Sequence, residues 1–572
     1  MEDHLVKTDV LVVGGGIAGC FAAITAKKLG VDVLIVDKAY AGKSGASISA
    51  GGWYMVFNPE WGYDFNTTMN EVAKIGEYLN NRVWTEIVLK ESWSTYMDLC
   101  SWGVEFPVEP EKRRSYLKEQ IIRTKSRAEK QPHIEPYSLI PLRHRKTAPT
   151  LRAQAEKVGV KILDRVMVTD LLKQSDKVVG AAGFSLDNGD FYIFRAKATV
   201  LAAGNSGFKP PGMHISMQTC DPDAMAYRAG AELSGKEFLD HHITFANYPS
   251  WRTEIYPAYF YFTDAEGKPI PAKGFDLSMV SAVHSGRGPI LYDLDAATRE
   301  DLDAIREYIR KRGNPIELER ISLDPARGGK YIVAGGAWAG GTVHGTGGLW
   351  PVDTKCSTSL EGLFAAGDCC STYYFGAVCR GASWGLTGAA VTGKRAGAGA
   401  AEYALKAETP ELSQEIIEKA KNTSFAALRR KSGFNPRWVT QLLQNIMMPY
   451  FIIYIKHEKR MQAALTLVEF LRDNLASKIY ARDPHELRLA HETNNMILNA
   501  EIILRSSLFR KESRGTHYRE DYPERKDSEW LAWTKVKDEK GAMKVWKQQV
   551  PKEWQPDLTK STEEIYYSMW HP

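Results

Sequence analysis

Gly14-Gly15-Gly16-Ile17-Ala18-Gly19 is the segment of this 572-residue chain whose spacing speaks most directly of chemistry. It fits G-x-G-x-x-G. Gly14 allows a tight turn, Gly16 lets the backbone approach a pyrophosphate, and Gly19 lets a helix pack closely on a strand. The helix that opens here offers the free N–H groups of Gly16, Ile17, Ala18 and Gly19, and its positive dipole end, to phosphate oxygens. Asp37 ends the next strand-like run, where a carboxylate accepts hydrogen bonds from ribose hydroxyls, and Lys38 follows it. The motif alone is only a glycine turn. Its place between a strand and a helix, with an acid closing the second strand, makes it a dinucleotide site.

Three further segments point to FAD rather than a nicotinamide nucleotide. Lys43-Ser44-Gly45-Ala46-Ser47, continued by Ala50-Gly51-Gly52, is a small-residue stretch able to pass close to a flavin ring. Ala202-Ala203-Gly204 ends a later apolar run as a second dinucleotide-contacting turn would. Gly367-Asp368 ends another, where a carboxylate meets a ribityl chain.

These residues need elements to position them. Residues 8–13 and 31–36 read as buried parallel strands with a helix from Cys20 to Leu29 between them, a complete βαβ opening. Thr85 to Cys100 reads as a helix, and Ala198–Ala203 and Gly362–Ala366 as short strands. The expected fold class is α/β: a Rossmann-like FAD-binding domain with an inserted α+β capping domain and a C-terminal helical domain. The expected boundaries are 1–244 and 341–405 for the two parts of the FAD-binding domain, 245–340 for the lid, 406–510 for the helical domain and 511–572 for a Trp-rich tail.

Hydrophobic residues make up 44% and charged residues 25%, ordinary for a globular chain. The net charge of +5, from 74 basic and 69 acidic residues, is too weak to argue for nucleic acid. No secretory signal is visible at the N-terminus. The apolar stretch Ile446–Ile455 is shorter than the roughly 20 residues of a bilayer span and reads as a core helix. None of the seven cysteines makes a C-x-x-C pair or a regular iron–sulfur spacing, so they read mostly as buried thiols in a reducing cytoplasm. If the protein uses one-electron carriers, another chain must hold them.

The order of Gly14–Gly19, Ser44–Gly52, Ala203-Gly204 and Ala365-Ala366-Gly367-Asp368 resembles the fumarate reductase and succinate dehydrogenase flavoprotein superfamily, to about Asp527. The resemblance implies cofactor contacts from Val168, Ser383 and Trp384 as well. Several members attach FAD through a His in the Ser-rich segment; the matching position here is Gly45, so the resemblance implies non-covalent FAD. Glu237-Phe238-Leu239-Asp240-His241-His242-Ile243-Thr244 is similar to the family's Phe-x-x-x-His-Pro-Thr, which puts His242 and Thr244 at substrate-contacting positions. His344-x-x-Gly347-Gly348 matches the family's second His, and Arg380 its carboxylate-binding Arg, a task that suits a planar guanidinium.

The departure is at Ser285-Gly286-Arg287-Gly288-Pro289-Ile290. Ser285 stands where fumarate reductases carry a proton-delivering Arg, and Arg287 is the nearest replacement. This run, and Glu512–Pro523 with Trp530, resemble the adenylylsulfate reductase alpha branch, and Asn58 matches an asparagine which that branch uses near the flavin. The implied chemistry is hydride transfer between flavin N5 and an activated C–C bond of a small anionic substrate, with Arg287, then His242 and His344, as candidates for the proton step. The implied partner is an iron–sulfur, ferredoxin-like subunit in a hetero-oligomer, with the tail as a docking surface or as a wrap over the chain's own helical domain. The alternatives are a sulfur-oxyanion reductase of the adenylylsulfate type, a single-chain oxidase resembling L-aspartate oxidase, and a non-catalytic electron-transfer flavoprotein. The expected location is the cytoplasm, at most peripheral to a membrane through a partner.

Overall fold

The computed structural model describes residues 2–48, 53–106, 137–142, 144–209, 218–242, 244–245, 248–252, 261–270, 276–300, 302–303, 329–334, 340–343, 347–378 and 381–566. Strand β1 (Asp3–Val13), helix α1 (Ile17–Lys28) and strand β2 (Val33–Asp37) form the expected βαβ unit. β1 pairs in parallel with β2 on one side and with the strand Phe191–Leu201 on the other. The strands Lys161–Asp164 and Leu363–Ala365 extend the parallel sheet at its two ends. Within it Val10–Val13 and Val33–Val36 are continuous buried apolar runs because helices cover both faces. α1 lies against the helix Gly381–Lys406, where a Cβ on Gly397 would stand 2.2 Å from the Ala22 carbonyl oxygen. Only glycine allows that approach.

The sheet forks at Phe191–Leu201. Its last residues pair with Leu363–Ala365, while its first pair antiparallel with Lys177–Ser185, which pairs in turn with Val166–Gln174. Sequence reading expects a strand only at 198–203. The observed strand starts earlier because Phe191, Ile193 and Phe194 are buried against this hairpin.

Within the lid region, the strands Phe262–Thr263, Ile290–Asp293 and Lys330–Ala334 form an antiparallel sheet beside the helix Asp276–His284, an α+β arrangement as expected. The helical region holds Gln414–Ser424, Pro436–Met447, Glu458–Phe470 and Pro484–Phe509. The stretch Ile446–Ile455 is not the single core helix expected. One helix stops at Met447, Pro449 intervenes, and a short turn Tyr450–Ile453 leads into the strand Ile455–Lys456. Pro449 lacks the N–H that would continue the helix. The stretch is nonetheless largely core: Met447, Met448, Ile452 and Ile453 are buried. Among the described residues no helix is long and apolar enough to cross a membrane.

The tail folds back on its own chain. Ala532–Glu539 pairs with Ala542–Gln549 and with Leu233-Ser234, which pairs with Gly348-Leu349. Trp533 is buried and its indole N–H donates to the Leu79 carbonyl at 2.8 Å. Trp530 packs edge-on against Phe509 at the end of the helix Pro484–Phe509, while Trp533 reaches Leu79, so the tail covers both the helical region and the flavin-binding part of its own chain.

Candidate functional site

The turns singled out in the sequence lie at the carboxyl ends of the parallel strands, where open α/β sheets bind ligands. β1 runs into Gly14, β2 ends at Asp37, Phe191–Leu201 runs into Ala203-Gly204, and Leu363–Ala365 into Gly367-Asp368.

Gly14 adopts φ +100°, and a Cβ there would lie 2.5 Å from the Ala202 carbonyl oxygen. A Cβ on Gly19 would lie 1.9 Å from the carbonyl oxygen of Gly14. Both glycines are demanded by backbone meeting backbone. A Cβ on Gly16 would meet, among the described residues, only the Ser47 side chain, whose Oγ would be 3.0 Å away. The same hydroxyl accepts the Ile17 N–H at 3.1 Å. With the Ile17 N–H committed to Ser47, the open peptide face at Gly16 and the Ala18 N–H at the start of α1 are the groups that fit a pyrophosphate.

Asp37 is buried. Its Oδ2 accepts from the Gly15 N–H at 2.8 Å, and its Oδ1 from the Ala39 N–H at 2.8 Å and the Ser44 hydroxyl at 3.2 Å. An ionised carboxylate has about four acceptor positions, which leaves one for a ribose hydroxyl. Gly45 is exposed at φ +72°. Gly51 and Gly52 lie outside the described residues.

Lys38 turns toward protein. Its ammonium donates to Thr219 Oγ1 at 2.8 Å, Asp221 Oδ2 at 2.7 Å and Glu492 Oε1 at 2.8 Å, which commits all three N–H groups. Glu492, on the helix Pro484–Phe509, also meets Lys209 at 2.8 Å and Arg488 at 2.7 Å. Burial would raise the Glu492 carboxyl, but Lys38, Lys209 and Arg488 together hold it well below the usual range. Lys38 is thus a strut between the nucleotide turn and the helical region.

Val168 is buried in its strand, and Gly204 takes φ +79° beside Gln218. Gly367, at φ +71°, has Ala18 so close that a Cβ would stand 2.7 Å from its Cβ. Asp368 is half-buried. Trp384 is buried, stacked with Tyr374 at 6.0 Å and edge-on to Tyr137 at 5.2 Å, and its indole N–H has no partner among the described residues. The Ser383 side chain lies outside the described residues. The six described cysteines are free, and burial pushes the thiols of Cys20 and Cys220 up to about 12, so they are inert.

On the side proposed for substrate, the strands Asp240–His242, Gly340–Val343 and Ser206-Gly207 form one antiparallel sheet. His242 pairs with Gly340, and Val343 with Ser206. His344 and Arg380, and the side chains of His242 and Thr244, lie outside the described residues. Asn58 is buried, and its Oδ1 accepts the Glu60 N–H at 3.0 Å, capping the turn Pro59–Trp61. The exposed Ser285 donates its hydroxyl to the Ala282 carbonyl at 3.0 Å. Arg287 donates to Asp264 Oδ2 at 3.3 Å, and its side chain is 46% exposed. Burial would raise the Asp264 carboxyl, but the N–H groups of Lys268 and Glu266, with Arg287, hold it below the usual range.

A buried ion network supports the segment that leads to His242. Glu237 Oε1 accepts from Arg510 at 2.9 Å, and the Glu237 carbonyl accepts from Lys456 at 2.7 Å. Lys456 also meets His517 Nδ1 at 2.9 Å. Burial, opposed by Glu237 and reinforced by Arg519 and Arg510, pushes the Lys456 amine down to about 7. Burial and the neighbouring Lys456 and arginines hold His517 well below its ordinary value. Lys456 belongs to no sequence motif, and His517 lies in the run Glu512–Pro523, where the resemblance gave it no role.

An FAD binding domain family model matches residues 9–255, and a fumarate reductase flavoprotein C-terminal model matches residues 440–561. Both matches place this chain's likeness with the fumarate reductase and succinate dehydrogenase flavoproteins. The chain is an FAD-dependent oxidoreductase. A fumarate reductase (CoM/CoB) subunit of Methanothermobacter marburgensis is 25% identical over 566 residues, covering 93% of this chain and 97% of that relative. The fumarate reductase flavoprotein subunit of Mycobacterium tuberculosis is 26% identical over 589 residues, covering 94% and 96%. Among solved structures, an Escherichia coli quinol fumarate reductase chain superimposes with a TM-score of 0.80 at 19% identity, covering 96% of this flavoprotein and 97% of that chain. Adenylylsulfate reductase of Archaeoglobus fulgidus superimposes with a TM-score of 0.78 at 22% identity, with the same coverage. The fold is common to both branches.

Proposed function

We propose that this flavoprotein is the catalytic subunit of a reductase or dehydrogenase acting on an activated C–C bond of a small anionic substrate. Electrons would be exchanged with a separate iron–sulfur chain. The observation that carries the reading is the three-stranded sheet at 206–207, 240–242 and 340–343. It joins the Gly204 turn to the backbone of His242 and to the strand that leads into His344. When bound, FAD supplies the hydride chemistry.

The chain's own residues bind, orient and move protons. Arg380 would hold a substrate carboxylate bidentately. His242, His344 and Thr244 would donate to the oxygens on which negative charge develops. Arg287 is the first candidate for the proton step, ahead of His242 and His344, and the lid would exclude water. With Gly45 in place of an imidazole, FAD would be held without a covalent bond, so acid denaturation should release all of it into solution.

A second reading rests on Ser285, exposed at the lid position where an Arg would serve dicarboxylate chemistry. It makes the protein a sulfur-oxyanion reductase of the adenylylsulfate type. One experiment separates them. The purified holoprotein is photoreduced under anaerobic conditions and mixed either with fumarate and other 2-enoates or, in the oxidised form, with sulfite and AMP. Reoxidation by an enoate without sulfite bleaching supports the first reading. Sulfite bleaching with no response to any enoate overturns it.

A further inference from the structure

Behind the Gly204 turn lies Asn205, fully buried and outside every motif. Its side-chain amide donates to the Gly347 carbonyl and, at 2.5 Å, to the Asp368 carbonyl. Its Oδ1 accepts the Ser206 N–H at 2.6 Å, and its own N–H donates to Gln218 Oε1 at 2.9 Å. Every polar atom that fixes its orientation is therefore engaged. The two carbonyls belong to different arms of the site. Asp368 follows Gly367 at the end of a parallel strand, on the cofactor side. Gly347 follows His344, on the side proposed for substrate.

The next residue is anchored just as firmly. Ser206 Oγ meets Asp223 Oδ2 at 2.8 Å, Asn499 Oδ1 at 3.0 Å and Lys236 Nζ at 2.6 Å. Lys236 and Asp223 pair at 2.6 Å with neither side chain exposed. The turn thus rests on a rigid, desolvated base, and Asn205 cannot shift without breaking it.

We infer that Asn205 is the positioning residue that sets the spacing between the flavin seat and the Gly347-Gly348 segment. It does so by clamping the Asp368 and Gly347 carbonyls with one amide. The inference rests on the flavin seat and substrate arm proposed above. An aspartate here would turn two donors into acceptors facing two carbonyl oxygens. Once protonated, it regains one donor.

The test uses full-length holoprotein and measures FAD dissociation by flavin fluorescence, together with the visible circular dichroism of the bound flavin. Asn205→Ala should raise the FAD Kd by about tenfold or more, since the Gly347 and Asp368 carbonyls lose the amide that holds them together. Its flavin dichroism should also change. Asn205→Asp should raise the Kd further at pH 8 and recover part of the loss at pH 5, which simple loss of packing would not do. If Asn205→Ala does not fold, the pH dependence of Asn205→Asp decides by itself. Wild-type FAD affinity and dichroism in either folded variant would overturn the inference. These readouts need no substrate, so they stand apart from the enoate and sulfite trials, whose failure would count against the proposed reaction only.

Discussion

The nucleotide turn near the N-terminus and the segment Arg510–Asp527 near the C-terminus both pack into the interior, by opposite physical means. Around Gly14–Gly19 the packing is made by absent side chains: backbone approaches backbone, and Val10, Leu11 and Val12 beneath it are fully buried. Around Arg510–Asp527 it is made by charge. Arg510, Arg514 and Arg519 are fully buried. Glu512 bridges Arg510 at 2.8 Å and Arg514 at 2.7 Å, and Arg514 also reaches Asp527 at 2.6 Å. Burial would lower the Arg514 guanidinium, but Glu512, Tyr566 and Asp527 together raise it well above its ordinary value. Where backbone meets backbone, at Gly14 and Gly19, no added atom is tolerated. A buried ion network tolerates no missing partner.

That contrast can be broken by mutation. The largest effect should come from Glu512→Ala, which removes the carboxylate shared by two buried guanidinium groups and leaves Arg510 with Glu237 and Arg514 with Asp527. A loss of about 3–5 kcal/mol is expected, read as the shift of a chemical denaturation midpoint. An unchanged midpoint would mean that charge pairing does not hold this region together.

Gly19→Ala comes next, because its Cβ would collide with the Gly14 carbonyl. A destabilisation of about 1–3 kcal/mol is expected, with FAD retention lost alongside it. A variant that melts like the wild type and keeps its yellow colour would contradict the backbone argument.

Lys456 sharpens the electrostatic half. Its amine is down near 7 in the folded chain and ordinary, near 10.5, when unfolded. Between those values the unfolded chain binds more protons, so stability rises with pH from about 7 upward; below 7 the burial penalty is constant. The slope is at most about 1.4 kcal/mol per pH unit. Lys456→Met should lose this rise, so urea midpoints of the two proteins at pH 7, 8 and 9 should diverge in the wild type's favour. Parallel curves would place the titration elsewhere.

The smallest structural effect is expected at Gly16. Its Cβ would meet little but the Ser47 side chain, so Gly16→Ala should change stability by no more than about 0.5 kcal/mol. FAD affinity should nonetheless fall, as titration of the apoprotein would reveal. Equal FAD affinity in variant and wild type would show that the cradle does not face the cofactor.

The βαβ opening was legible because its signals are local: glycine spacing, two apolar runs and an acid within Val10–Asp37. The turns at Gly204 and Gly367 were legible for the same reason. The break at Pro449 was visible as a proline but was outweighed by the apolar run around it. The hairpin Val166–Ser185 was missed because its strands carry no chemical motif. The tail's course could not be read, since Trp533 finds the Leu79 carbonyl and Arg525 finds Glu77 only across most of the chain's length.

The amino-acid sequence by itself determined where a nucleotide can be gripped, because a missing Cβ and a strand-ending carboxylate act within a few residues. Only the tertiary structure decided that Lys38 faces Glu492, that Arg287 pairs with Asp264, and that Asn205 ties Gly347 to Asp368. A buried charge or amide takes whichever partner the folded chain brings within about 3 Å, and spacing along the chain does not encode that distance.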